Sequence, residues 1–388
     1  MDATRAMARM SPVVAAEIFE VEAAFATPYK LSKNYGTLAT TRAVMLKLTD
    51  ADGVVGWGEA NPMQPFTVES PAEAAATLRS TLLPALLRDA NPEPGRSDAL
   101  LDALLPDHLC AKGAVSMALL DLMGKRLGVS VATLLGGALR DSLPVLWPLG
   151  SGTAEDDIRV IDERSAQGFA TFMLKMGSAP VAEEVRRVAE LEARYGARIK
   201  LIADANQGWS RVEAADFLAG VSGSRLAFVE QPVAKHDLEG MALLAANTRL
   251  PISADEALTG LAEAGRIASL NAARVFSIKS SKNGGPLRAQ RIAAVAQAFG
   301  IGCYMNSMLE FGITQAASLQ HAAVIPNLVD AGHAFMSTLR LAEDPTDFSA
   351  LVRNGVAHLP RGPGLGVQVD EAHVRRMAIS SLRLGGQL

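Results

Sequence analysis

Two hydrophobic regimes divide the chain. From Val13 to Ala24 and from Arg42 to Glu59, apolar and polar positions alternate, and the second stretch breaks at Asp50-Ala51-Asp52-Gly53. Alternation is the period of half-buried strands, and an Asp/Gly break between two such runs predicts a hairpin. Residues 71–90 and 98–127 then take helical spacing, with Ala114, Met117, Ala118, Leu120 and Leu122 on one broad apolar face. A strand meander followed by helices predicts an α+β unit.

From Leu143 the pattern becomes short apolar runs separated by amphipathic helices. The runs are Val145–Trp147, Thr171–Leu174, Lys200–Ala203, Leu226–Val229, Pro251–Ala254, Val275–Ile278 and Gly302–Met305, with a weaker eighth at Leu328-Val329. Val181–Tyr195, Arg211–Ala219 and Leu287–Ala298 are among the helices between them. Near-continuous apolar strands alternating with helices predict a parallel sheet covered on both faces. Polar residues follow successive runs at Lys175, Asp204, Glu230, Asp255, Lys279, Asn306 and Asp330, separated by 29, 26, 25, 24, 27 and 24 residues. A doubly wound open sheet can repeat at this interval, but seven or eight near-equal units over 143–359 match a (β/α)8 barrel better.

Composition narrows the function classes. Hydrophobic residues make up 49% of the 388, charged residues 20%, and the formal charge is −4. Such a chain buries a large core and carries no basic footprint for nucleic acid or anionic lipid. No run approaches the ~18 apolar residues of a membrane span. Two cysteines, Cys110 and Cys303, make no disulfide framework or zinc motif, which points to a reducing, cytoplasmic setting. The first ten residues lack the apolar block of a signal peptide, so Met7 or Met10 is a candidate start.

A barrel of this kind places its chemistry at the C-terminal ends of its strands. A lone Asp or Glu there is usually a helix cap or a solvated loop residue. Asp204, Glu230 and Asp255 differ because they follow three consecutive strands, and three converging carboxylates repel unless neutralised. An all-oxygen set suits Mg²⁺. Lys175 and Lys279 end the strands on either side of that triplet. Burial beside a metal or other cations lowers an ammonium pKa toward working pH, making each lysine a candidate general base. This predicts proton abstraction next to a substrate carboxylate, with Mg²⁺ offsetting the charge of the enediolate.

These residues resemble the enolase superfamily, and within it the muconate lactonizing enzyme subgroup. The likeness runs from about Val13 to the C-terminus. It rests on Met173-Leu174-Lys175-Met176-Gly177, Ala203-Asp204-Ala205-Asn206-Gln207-Gly208-Trp209, Val229-Glu230-Gln231-Pro232, Ser253-Ala254-Asp255-Glu256 and Ile278-Lys279-Ser280-Ser281-Lys282-Asn283-Gly284-Gly285. Gly56-Trp57-Gly58-Glu59, the stretch Ala114–Gly137 and the tail Gly362–Gly366 support it. The resemblance implies a modified (β/α)7β TIM barrel under an N-terminal α+β capping domain. The expected divisions are residues 1–140 for the cap, 141–359 for the barrel, and 360–388 for a segment returning to the cap. It also implies Mg²⁺ on Asp204, Glu230 and Asp255, acid/base catalysis by Lys175 and Lys279, and supporting roles for Asn206 and Glu256. Cap loops around Tyr29–Thr37 and Asn61–Phe66 would close over the substrate. Tyr35, Lys282, Asn306, Glu310, Asp330 and His333 are further candidate substrate contacts.

Departures from the pattern shape the expected reaction. Met173 stands where this subgroup commonly carries the first lysine of Lys-x-Lys, and no histidine follows the seventh strand. Asp330-Ala331-Gly332-His333 stands where epimerases of the group often carry Asp-x-Asp for a substrate amine. Asp330 could pair with an ammonium, while His333 could bind a hydroxyl or act as an acid. Epimerisation or dehydration of an amino-acid-like substrate, including a hydroxyproline type, is therefore the first expectation. Muconate-type lactone cycloisomerisation is the alternative, and an idle barrel serving as a binding scaffold is a third. The expected partner is a small carboxylate rather than nucleic acid or membrane, and the barrel is expected to form a homo-oligomer.

Overall fold

The computed structural model describes residues 10–150 and 152–386; the candidate start Met7 lies outside them. Strands β1 (Val13–Lys30), β2 (Thr37–Asp50) and β3 (Val55–Ala60) form an antiparallel sheet, and the chain's last strand, Ala378–Gly385, adds to the free edge of β1. The β2–β3 turn forms at the predicted break. Asp50 Oδ1 accepts from the Asp52 and Val54 amides, and Gly53 takes φ +82°.

The two helical stretches are more broken than their spacing suggests. The first gives α1 (Pro71–Thr77), capped by a Ser70/Glu73 box, and then a π-helical turn over Leu78–Leu82. The second divides into α2 (Pro94–Leu104) and α3 (Leu109–Leu127). Pro106 lies in the break, where a ring nitrogen donates no hydrogen bond and biases the preceding residue away from helix. Helix α3 lies directly on β3: a Cβ at Gly56 would sit 2.2 Å from the Ala118 carbonyl oxygen, and one at Gly58 1.9 Å from that of Ala114. The Gly-Trp-Gly spacing thus permits backbone-to-backbone contact on one face of β3, with Val44, Leu46, Leu48, Ala114, Ala118 and Leu122 filling the interface.

After β4 (Ser142–Pro144), seven strands run parallel in sequence order: β5 (Leu146–Leu149), β6 (Thr171–Lys175), β7 (Lys200–Asp204), β8 (Val229–Glu230), β9 (Ile252–Ala254), β10 (Val275–Ile278) and β11 (Gly302–Met305). Bridges Cys303–Leu328 and Val145–His333 join the two edges through an irregular eighth stave, closing the modified (β/α)7β barrel. The helices outside include α4 (Ala154–Ser165), α5 (Val181–Tyr195), α6 (Arg211–Gly220), α7 (Leu238–Ala246), α8 (Leu261–Ser269), α9 (Pro286–Ala298) and α10 (Gly312–Val324). No helix among the described residues is long and apolar enough to cross a membrane.

Glu59, at the end of the Gly-Trp-Gly-Glu stretch, fastens cap to barrel. Fully buried, its carboxyl accepts from the Phe311 and Thr314 amides at 2.9 and 3.0 Å, capping α10. Burial pushes its pKa up to about 8.

Candidate active site

Parallel pairing places Lys175 opposite Asp204, and Asp204 opposite Glu230; Glu230 in turn faces Ser253, two residues before Asp255. The carboxylates therefore form a row along consecutive strand ends, and all three are buried. Lys175 Nζ donates to Asp204 Oδ2. Lys279 Nζ donates to Asp255 Oδ2 at 2.6 Å, and Lys282 Nζ to Asp255 Oδ1 at 2.9 Å. Asn306 Nδ2 donates to Glu230 Oε1 at 2.8 Å. Lys175 and Lys279 end the second and sixth of eight staves, so they face each other across the mouth.

As arranged, the electrostatics keep both lysines charged. Burial acts to lower the pKa of both lysines, but Asp204 beside Lys175 and Asp255 beside Lys279 outweigh it, so both ammonium groups are held above the ordinary lysine value. Lys282 is lowered, chiefly by burial. Burial, then Asp204 and Asp255, pushes Glu230 well above the carboxylate range; Asp255 is held below it because Lys279 and Lys282 outweigh its burial. Burial and Asp255 raise Glu256 to about 7.

Does this donor set fit a divalent cation? Glu230 Oε2 is buried with no hydrogen-bond partner, and hard oxygen donors converge from three adjacent strands. That chemistry fits. As arranged, however, Asp204 and Asp255 turn to ammonium groups, and no trio of His, Cys, Asp or Glu among the described residues stands gathered around a cation position.

Two cap loops lie over the mouth. Asn34 Nδ2 donates to the carbonyls of Asn206 and Gln207 at 3.1 and 3.0 Å, and Tyr35 OH donates to Glu256 Oε1 at 3.1 Å. Gln207 Nε2 donates back to Tyr35 OH at 2.8 Å. Asn206 Nδ2 reaches the same Glu256 oxygen, at 3.3 Å. In the second loop, Phe66 lies with its ring centroid 4.0 Å from Lys279 Nζ and 6.0 Å from the Tyr35 ring. A cavity of about 40 Å³ remains beneath, lined by both lysines, Asn206, Asn306, Ser307, Tyr29, Tyr35 and apolar side chains including Met63, Met173, Met308 and Met336. No aspartate or glutamate lines it.

Four candidates fall away from this cavity, the first being Lys282, whose ammonium turns to the Asp255 carbonyl and carboxylate. Asp330 lies at the opposite end of the barrel: its side chain is 98% exposed and paired with Lys200, the first residue of β7. The eighth stave reaches the mouth only at Ala334 and Met336. His333 is buried inside that stave, where its Nδ1 accepts from the Met305 amide at 3.1 Å; burial lowers its pKa to about 3, so it is neutral and not an acid. Glu310 is fully occupied by Ser281, Ser307, the Met308 amide and Gln315, organising the loop after β11. Sequence reading missed Gln231, whose Oε1 accepts from the Asp255 and Ala257 amides at 3.0 and 3.1 Å and so aims Asp255. Its only signal is a polar residue directly after a strand.

Comparison with known proteins places this geometry. Residues 13–136 match the family model "Mandelate racemase / muconate lactonizing enzyme, N-terminal domain", and residues 157–373 match "Enolase C-terminal domain-like". The chain belongs to the mandelate racemase/muconate lactonizing enzyme family of the enolase superfamily. It is 33% identical over 354 residues to muconate cycloisomerase 1 of Pseudomonas putida, covering 90% of this chain and 94% of that one. It is 30% identical over 364 residues to L-Ala-D/L-Glu epimerase of Bacillus subtilis, covering 92% and 96%. Among solved structures, muconate lactonizing enzyme from Pseudomonas fluorescens complexed with muconolactone superposes with TM-score 0.91 at 31% identity, covering 95% of this chain and 99% of that one. N-succinyl Arg/Lys racemase from Bacillus cereus gives TM-score 0.90 at 26% identity, covering 96% and 100%. The chain is accordingly an enzyme of the superfamily's isomerase type, which sets aside the idle-scaffold reading.

Proposed function

We propose that this enzyme moves the proton α to the carboxylate of an acid lacking a free ammonium group, and that its reaction is a muconate-type lactone cycloisomerisation. One observation carries the reading. The cavity beneath the cap loops presents two lysines, neutral hydrogen-bonding groups and methionines, but no carboxylate for a substrate amine. A diacid or its lactone suits that lining; a zwitterionic amino acid leaves its ammonium buried without a partner. Removing Asp330 and His333 from the mouth also takes away the amine acceptor and the extra acid on which an amino-acid epimerase or hydroxyproline dehydratase would rest.

In the ring-opening direction, the amine form of Lys175 or Lys279, which the paired Asp204 or Asp255 disfavours until that carboxylate turns away, takes the α-proton. The electron pair moves into the substrate carboxylate as an enediolate, then forms the new alkene as the β-carbon–oxygen bond breaks and releases the ring carboxylate. Asp204, Glu230 and Asp255 would hold a divalent cation, Mg²⁺ in this proposal, which offsets the charge gathered on the substrate carboxylate when bound. Tyr35 and Phe66 exclude water from above. Positioned proton transfer of this kind contributes about 10²–10⁴-fold to rate. A second reading, racemisation of an N-acylated amino acid, is favoured by the opposed placement of the lysines, since it needs a base on each face.

The test is product analysis with Mg²⁺ across muconolactones, N-acyl amino acids, free amino acids, dipeptides and hydroxyprolines. The proposal expects turnover of a lactone or diacid and none of free amino acids or hydroxyprolines. Turnover confined to substrates with a free amine would overturn it, and N-acyl racemisation alone would select the second reading.

A further inference from the structure

Each lysine is held by its own backbone device. On the Lys175 side, α5 reaches back to the strand end it follows. Arg187, buried on α5, donates from Nη1 to the Lys175 carbonyl at 2.8 Å. Its Nε and Nη2 fork onto Asp157 of α4 at 2.6 and 2.9 Å, and Nη2 also meets the Gly150 carbonyl at 2.9 Å. Glu184, almost one turn earlier on α5, accepts from the Ser178 and Ala179 amides at 3.1 and 3.2 Å and from Trp209 Nε1 at 3.0 Å. The loop between those contacts is packed backbone on backbone: a Cβ at Gly177 would lie 2.8 Å from the Ala205 carbonyl and from Gly208 Cα. On the Lys279 side none of these groups takes part. There the Asn283 side chain accepts from the Lys279 amide at 2.9 Å and donates to the Leu258 and Thr259 carbonyls at 2.8 and 3.0 Å.

We infer that Arg187, aimed by Asp157, is a positioning residue for Lys175, and that Asn283 serves Lys279 independently, so the two halves of the proton transfer are separately tunable. The inference rests on the reading of both lysines as bases. A guanidinium that takes both a carboxylate fork and a catalytic residue's carbonyl fixes the point from which that side chain extends, and displacement of a reacting group by about 1 Å costs on the order of 10²-fold. A buried helix-to-helix ion pair with only a stabilising role would touch both bases alike.

The experiment uses Asp157→Leu/Arg187→Met, because exchanging a buried ion pair for apolar side chains of similar volume is often neutral in stability. α-Proton exchange in D₂O is read separately for the two faces of the α-carbon, as the two hydrogens of a lactone's α-CH₂ or the two enantiomers of a chiral acid. Lys175→Ala and Lys279→Ala assign the faces. The double variant is expected to lose at least about tenfold in exchange on the Lys175 face, with the Lys279 face and KM within about twofold. Asn283→Ala is expected to show the reverse bias. Equal loss on both faces, a rise in KM without a fall in kcat, or a double variant that does not fold would overturn the positioning role. Exchange unaffected by Lys175→Ala would instead refute the base assignment, whatever the double variant does.

Discussion

Gly58→Ala gives a direct measure of how closely the cap is built. The added Cβ would lie 1.9 Å from the Ala114 carbonyl oxygen, 2.8 Å from its carbon and 3.0 Å from the Ala118 amide nitrogen, whereas ordinary contacts begin near 3.4 Å. All three obstacles are main-chain atoms of α3, so no rotamer change relieves them. Strand and helix must separate by roughly 1.5 Å, opening an interface filled by Val44, Leu46, Ala114 and Ala118. Overpacking typically costs about 1–3 kcal/mol, and a backbone obstacle belongs at the upper end. Alanine recovers about 0.5–1 kcal/mol over glycine through the unfolded chain, leaving a net loss of about 2–2.5 kcal/mol. Gly265→Ala is the matched control: it lies in α8 with nothing within 4 Å of the new Cβ, so it gains about 0.5–1 kcal/mol. Urea denaturation followed by circular dichroism reads both. A Gly58→Ala protein within about 0.5 kcal/mol of the parent would refute the close-approach argument.

Glu59 offers a pH signature. Its folded pKa of about 8 exceeds the ordinary 4.5, so the folded state holds a proton that the unfolded chain releases. Its share of stability is full below the unfolded value and falls, by on the order of a few kcal/mol, as pH rises toward 8; Glu59→Gln should flatten that slope in urea midpoints between pH 5 and 8.5, and an unchanged slope would contradict the assignment. Asp330→Asn should leave kcat/KM within about twofold for every acid turned over, because the side chain is exposed beside Lys200 at the far end of the barrel; a large loss would return Asp330 to the site. Chelation should abolish α-proton exchange and added Mg²⁺ restore it, but not in Asp255→Asn, which loses a charged donor. Full exchange in the chelated enzyme would refute the metal proposal.

Much of this molecule was legible before any coordinates. Repeat spacing exposed the barrel, because the six strands from β6 to β11 each give way to a polar residue where the apolar interior stops, and the register then aligned Lys175, Asp204 and Glu230 in one row. The same rule failed at Asp330. The eighth stave is irregular, and its short run Leu328-Val329 marks the entry of the stave rather than its exit. His333 shows a second limit: the chain does not announce that an imidazole will be enclosed and neutral. The lysines show a related limit, since sequence shows which charges converge but not that each ammonium will rest on a carboxylate. Arg187 and Gln231 act through backbone groups, and backbone contacts leave no pattern in side-chain chemistry.

In the proposed reaction, Lys175 and Lys279 transfer the proton α to a substrate carboxylate. The most direct test is solvent-deuterium incorporation at that carbon, followed by NMR with Mg²⁺ present, in the parent enzyme and in Lys175→Ala and Lys279→Ala. Incorporation by the parent is expected, with a loss of about 10²–10⁴-fold on the face each substitution serves. Incorporation at the parent rate in both variants would contradict it.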